Sequence, residues 1–292
     1  MDDDIVVSLL NNKGVIVSLL GGLGNQMFEI AAGYALAKNN NVPLYLGYIA
    51  ERIKCNNKHN KNNNNYNRTI FNYFIKTDIR KVESNIYNKL TKNGYIYKDI
   101  APSYANIKFP PNIKNNGILL NGRFQNYNLF CKYENEIRNL FVKGLETNIN
   151  KMKEKYNTEN TAFLHVRRGD YLLLPNLFKQ ASMKYYIKCI NRLKNRNKDL
   201  RKIFIFSNDI NYIKSKPFFN KPIFKIINEN DELDTLALMY LCKAGAIITN
   251  STFGWWGAFL GAYSIRNPVF GFKQWIMTRN TPHLCPKEWN RI

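Results

Sequence analysis

From Thr161 to Phe272 the chain alternates short β-branched and aromatic runs with longer stretches of helical periodicity, and this restricts the fold more than any other feature. Thr161 to Arg168, Lys202 to Ser207, Pro222 to Ile227, Gly245 to Thr249 and Pro268 to Phe272 read as strands. Ser182 to Asn195, Asp231 to Ala244 and Phe253 to Tyr263 read as helices. Ser182 supplies an N-cap hydroxyl, and the acidic opening of the second helix suits the positive end of its dipole. Strands separated by helices require crossover connections, so the expected sheet is parallel and wound right-handedly.

The N-terminal part opens on the same unit. Val15 to Leu20 reads as a buried strand, Gly21-Gly22-Leu23-Gly24 as a turn, Met27 to Leu36 as a helix, and Val42 to Gly47 as the next strand. Cys55 to Asn67 is polar and asparagine-rich and reads as a flexible surface insertion. Gly117 to Phe124 reads as a further strand, and Leu129 to Lys155 as helical segments leading out of the first domain. The expected architecture is α/β, with two facing Rossmann-like domains built on parallel sheets. Their expected bounds are residues 1–155 and 156–292, a division that a chain of 292 residues accommodates.

Composition excludes several classes. No apolar run reaches the roughly 18 residues of a membrane span, and Asp2-Asp3-Asp4 stands where a signal peptide carries positive charge, so neither anchor nor leader is expected and the location reads as cytoplasmic. Five cysteines without a C-x-x-C pair read as free thiols, and three histidines show no metal-ligand spacing. The net charge of +22 admits a polyanion partner such as nucleic acid. Lysine excess travels with asparagine excess in Lys58 to Asn65, however, as a compositional bias in the coding sequence would produce. The reading taken is no nucleic-acid partner, with a basic field that still attracts a diphosphate.

Ligands of an open parallel sheet bind beyond the carboxyl ends of its strands. Three unusual clusters end strands here: His165 to Asp170, Ser207-Asn208-Asp209 and Asn250-Ser251-Thr252. They are expected to lie side by side. In a strand His165 and Arg167 share a face, while Arg168 points to the other. A guanidinium matches phosphate oxygens, so Arg167 is the candidate for stabilising charge on a departing diphosphate. Arg168 with Asp170 reads equally well as a structural ion pair. Asn250, Ser251 and Thr252 lead into a helix N-terminus, which is either an anion site or an ordinary cap. Asp234, in the first turn of its helix, either stabilises the dipole or accepts bonds from a base or ribose. The glycine turn fails the dinucleotide fingerprint at Met27, but Gly22 permits close backbone approach and Asn25 and Gln26 face the expected cleft. No D-x-D stands where it would hold a metal-bound diphosphate, so arginine and helix dipoles are expected to replace a metal, with no cofactor.

These motifs resemble the α-1,2-fucosyltransferase family, glycosyltransferase family 11, from Val15 to Ile292. The similarity rests on Gly21 to Phe28, His165 to Tyr171, and Asn250 to Ala258, with support from Gly122 to Tyr127, Asp234 to Met239 and Pro286 to Trp289. It implies a GT-B fold with an acceptor-side first domain and a nucleotide-sugar-binding second domain. It further implies GDP-L-fucose as donor, inverting transfer to the 2-hydroxyl of a galactose-terminated glycan, and no metal. It implies Arg167 on the diphosphate, His165 and Asp234 near the guanosine, and Ser251 and Thr252 near phosphate. The general base is not assigned: Asp170 and Asp209 are the candidates, and dissociative chemistry with weak base assistance is the alternative. The sequence departs from the family in carrying Gly254 where serine is usual, in the asparagine-rich stretch, and in the segment before Val15. A GT-B enzyme using another nucleotide sugar is the alternative reading.

Overall fold

The computed structural model describes residues 14–47, 80–82, 96–98, 118–261, 267–277 and 280–292. The asparagine-rich stretch 55–67 and the segment before Val15 lie outside them, apart from Gly14. The chain divides into two compact units, 1–140 and 141–292.

The first unit holds β1 (Val15–Ser18), α1 (Leu23–Asn40), β2 (Leu44–Gly47), β3 (Arg80–Val82), β4 (Ile96–Lys98) and β5 (Ile118–Asn121). Its sheet runs β3-β2-β1-β5-β4, and every pairing is parallel. β1 is buried along its length, as a continuous apolar run in a parallel sheet must be. α1 is apolar nearly all round and is correspondingly buried. It approaches β1 at Gly33, where an added Cβ would stand 2.2 Å from Val17 Cγ2. α2 (Glu134–Gly144) runs across the division between the units.

The second unit begins its own elements with α3 (Glu146–Lys155) and β6 (Thr161–Val166). Then come α4 (Met183–Arg196), β7 (Lys202–Ser207), α5 (Ile210–Lys214), β8 (Phe224–Ile227), α6 (Glu232–Leu241), β9 (Ala246–Ile248), α7 (Thr252–Gly261), β10 (Val269–Gly271) and β11 (Asn290–Arg291). The sheet order is β11-β10-β9-β6-β7-β8, again wholly parallel. Numbered from β6, that is the strand order of a Rossmann sheet, and the order reverses between β6 and β9. The division at 140/141 precedes residue 155, the boundary expected from the sequence, because α3 packs on α6 of the second unit.

Side chains alternate across this sheet. Leu164 and Val166 join a core with Tyr185, Cys189, Ile190 and Leu193 of α4. His165 turns to the opposite face, beneath Gly254 of α7. α7 also lies close to α6, since a Cβ at Gly257 would meet Met239 Sδ at 2.6 Å. Trp255 and Trp256 are fully buried and belong to the core. Ser182 caps α4 by accepting the Tyr185 amide, as its sequence position implies.

Candidate active site

The turning point of the second sheet brings the three sequence clusters together. The Arg167 amide, one residue past β6, donates to Thr249 Oγ1 beyond β9 at 3.1 Å. The Arg168 amide donates to Asn208 Oδ1 beyond β7 at 2.8 Å. Gly169 suits this closeness, because a Cβ there would stand 2.3 Å from Asn208 Nδ2 and that side chain would have to shift. Ser207 accepts the Asp209 amide, and Asp209 caps α5 through the Tyr212 amide.

The two arginines are held differently from the sequence expectation. Arg168 does not pair with Asp170. Its Nε donates to Asp209 Oδ2 at 3.0 Å, and its guanidinium lies 3.6 Å from the centre of the Tyr212 ring. Asp170 pairs instead with Arg167, Nη2 standing 2.9 Å from Oδ1. The cause is the early end of β6 at Val166. Strand alternation stops there, and the turn over Gly169–Leu173 carries Asp170 back to the residue three before it. Asn208 Nδ2 also reaches Asp170 Oδ1, at 3.5 Å. Arg167 keeps 32% of its side chain exposed and Arg168 18%, so Arg167 is the more available of the two.

His165 is 6% exposed, and its Nδ1 has no hydrogen-bond partner. Burial first, and the Arg167 charge second, hold its pKa down to about 3. The imidazole is therefore neutral at physiological pH and adds no charge of its own to the site.

Asn250 is buried, and its amide donates to the carbonyls of Lys179 and Trp275 at 3.1 and 3.2 Å. It braces the loop after β9. Ser251 is buried and its carbonyl accepts the Trp255 amide; Thr252 opens α7. The first-turn amides of an α-helix have no acceptor within the helix, so the N-terminus of α7 presents donors at this strand end, where the sequence reading left an anion site and an ordinary cap as alternatives.

Asp234 is 2% exposed on the first turn of α6, where Asp231 caps the helix by accepting the Leu233 and Asp234 amides. Its carboxylate meets Asn148 Nδ2 at 2.7 Å and the Lys151 ammonium, both from α3. Sequence reasoning missed these partners. Asn148 and Lys151 are three apart on one helix face, but no local signal says what that face meets.

In the first unit the sheet order reverses at β1 and β5, and the glycine turn follows β1. Gly21 has φ +78°, and Gly22 precedes the first turn of α1. Gln26 is buried with Nε2 donating to the Gly21 carbonyl at 2.7 Å, so it shapes the turn and does not point outward as expected. Asn25 Oδ1 accepts from Gln125 Nε2, beyond β5, at 2.6 Å. Buried Glu29 accepts the Leu20 amide through Oε2 at 2.8 Å. Gln125 and Glu29 are further residues that the motif reading did not single out.

Residues 9–269 match glycosyl transferase family 11. The chain belongs to that family. Among curated proteins, this glycosyltransferase is 28% identical over 300 residues to an Escherichia coli alpha-1,2-colitosyltransferase, covering 95% of this chain and 98% of that protein. It is also 28% identical over 308 residues to the O-antigen biosynthesis glycosyltransferase WbnK of Escherichia coli, covering 93% and 98%. Among solved structures it resembles NodZ alpha-1,6-fucosyltransferase co-crystallised with GDP, with a TM-score of 0.50 at 13% identity over 89% of this chain and 95% of that one. The same enzyme soaked with GDP-fucose gives a TM-score of 0.50 at 13% identity over 90% and 96%. The fold is of the GT-B type, α/β with parallel sheets. No helix among the described residues is long and apolar enough to cross a membrane.

Proposed function

We propose that this family 11 glycosyltransferase transfers L-fucose from GDP-L-fucose to the 2-hydroxyl of a terminal galactose, with inversion. The observation that supports this most is Arg167. Its backbone is fixed by Thr249 at the turning point of the second sheet, while its guanidinium remains partly exposed. In the reaction the acceptor hydroxyl oxygen attacks C1 of fucose. The C1–O bond to the β-phosphate breaks, its electron pair stays on the leaving diphosphate, and the hydroxyl proton is released. Arg167 and the N-terminus of α7, through Ser251 and Thr252, meet the growing phosphate charge. Asp170 positions Arg167 in the resting site. Both carboxylates are paired with an arginine, but Asp170 keeps 56% of its side chain exposed against 22% for Asp209, so Asp170 is the better candidate to take the proton. In this reading no metal or cofactor is required, and EDTA leaves the rate unchanged.

A second donor follows from the name of the E. coli colitosyltransferase. Colitose is fucose without its 3-hydroxyl. A site that hydrogen-bonds that hydroxyl rejects the deoxy sugar strongly, whereas a site lined by apolar atoms discriminates weakly. Incubation with GDP-fucose, GDP-colitose, GDP-mannose and UDP-galactose beside terminal galactosides, scored by nucleotide release and product linkage, tests both readings. Indifference to GDP-fucose sinks the first. A product bonded elsewhere than at the galactose 2-hydroxyl refutes the linkage.

A further inference from the structure

The second unit contains a cavity whose lining includes none of the residues assigned above to the donor. It lies on the α4 side of the sheet, opposite the face to which His165 turns. Its volume is about 690 Å³, within the range of small-molecule sites. Lys179, Gln180, Lys184, Lys188, Phe272 and Lys273 line it. None of its described lining side chains is acidic.

The lysines stand where helix electrostatics disfavours them. Lys184 occupies the first turn of α4, which holds no acidic residue, so its charge opposes the positive end of the dipole. Lys188 follows four residues later on the same face, a like-charge spacing that costs further. Lys179 faces the cavity from the opposite wall, bonded to Gln274 Oε1 at 3.0 Å. Both polar atoms of the Gln180 amide are buried without a hydrogen-bond partner, a cost comparable to a lost hydrogen bond. A ligand with several anionic oxygens relieves all of these but one, since Gln180 Oε1 is an acceptor and needs a donor such as a ligand hydroxyl. It cancels the lysine repulsion, completes the helix terminus and accepts from the Gln180 amide. Asn250 holds the pocket's shape, since its two bonds tie the wall at Lys179 to the chain at Trp275.

We infer that this cavity binds a phosphate-bearing ligand through Lys179, Lys184, Lys188 and Gln180, at a site separate from the donor site. The phosphate belongs either to a soluble ester or to a lipid head group. The lipid source is worth a separate arm because Met277, on the cavity lining, is 42% exposed and its amide bonds to Leu177, beside Leu173 and Leu174, which are 82% and 50% exposed.

The full chain, saturated with GDP, is titrated calorimetrically with inorganic pyrophosphate and sedimented with phosphatidylcholine vesicles with and without phosphatidate. A Lys184→Gln/Lys188→Gln variant runs in parallel, with its melting temperature recorded. The expected result is one saturable interaction beyond GDP, weakened about ten-fold or more in the variant and by added salt, with GDP affinity and melting temperature preserved. Response to pyrophosphate assigns a soluble ester; response to phosphatidate vesicles alone assigns a lipid head group. Binding that is equal in wild type and variant, or absent in both arms, overturns the proposal. If the double variant melts early, the single Lys188→Gln change is read by the same criteria.

Discussion

Gly254 lies against the imidazole of His165, so closely that a Cβ on it would stand 2.7 Å from Nδ1 and 2.8 Å from Cγ. Residue 254 is also where the family usually has serine. Serine or alanine here therefore forces either α7 or the His165 ring to move. Gly254→Ala is expected to lower stability by about 1–3 kcal/mol, as overpacking does, and to slow transfer by displacing the loop that ends β6. Thermal unfolding and initial rates check this. A Gly254→Ser protein with wild-type melting temperature and rate would show that the contact is easily relieved.

Acid should destabilise the protein partly through the same histidine. In the folded state its pKa is held down to about 3 by burial and by Arg167, while the unfolded chain titrates near the ordinary 6.5. Between these values the unfolded state binds a proton that the native state refuses. Stability attributable to His165 is complete above the unfolded value and is lost as pH falls below it, by up to about 1.4 kcal/mol per pH unit. Urea midpoints at pH 7 and pH 5, for wild type and His165→Phe, isolate the contribution of this histidine. The wild type should lose more between the two pH values than the variant does; equal losses would contradict it.

Arg167 and Arg168 should separate cleanly. The Arg168 side chain bonds Asp209 and lies over the Tyr212 ring, so Arg168→Ala should lower the melting temperature. Arg167 pairs across an exposed carboxylate, with Asp170 56% exposed, a class of interaction worth little to stability. Arg167→Ala should therefore fold normally and lose transfer by about a hundred-fold or more, the scale of a deleted electrostatic donor. Activity within a few-fold of wild type would end the case for Arg167.

The thiols should differ in reactivity. Burial pushes Cys189 and Cys285 up to about 12 and raises Cys242 as well, whereas Cys131 is exposed. Among the described cysteines only Cys131 should react rapidly with a thiol reagent in the native protein, which peptide mapping after brief labelling would check. Rapid native labelling of Cys189 would contradict the packing of α4.

How much of this was legible beforehand depends on the kind of signal. The strands of the second unit are nearly continuous apolar runs, because both faces of a parallel sheet are covered, and so they read directly. β11 is two residues long and leaves no pattern. The clustering of His165 to Asp170 with Ser207 to Asp209 and Asn250 to Thr252 follows from strand ends alone. The pairing within it does not. Alternation predicted that Arg167 follows His165, but β6 stops at Val166, and the next side chains obey a turn instead of a strand. Gln125 on Asn25 and α3 on α6 are tertiary contacts between distant segments, and nothing local announces them.

Asp234 offers the sharpest test of the proposed donor site. Its buried carboxylate is already occupied by Asn148 and Lys151, so a guanosine that uses it must displace a partner. Lys151 is 60% exposed at its side chain and returns to water readily, whereas Asn148 leaves one carboxylate oxygen satisfied. Lys151→Ala should therefore bind GDP at least as tightly as wild type, because the competitor is gone. Asp234→Asn should weaken GDP binding by about ten-fold or more, since loss of a charged acceptor costs about 1.4 kcal/mol or more. Calorimetric titration with GDP distinguishes the cases. Equal weakening by both substitutions would mean that the pair is a structural unit joining α3 to α6, and that the nucleotide is read elsewhere.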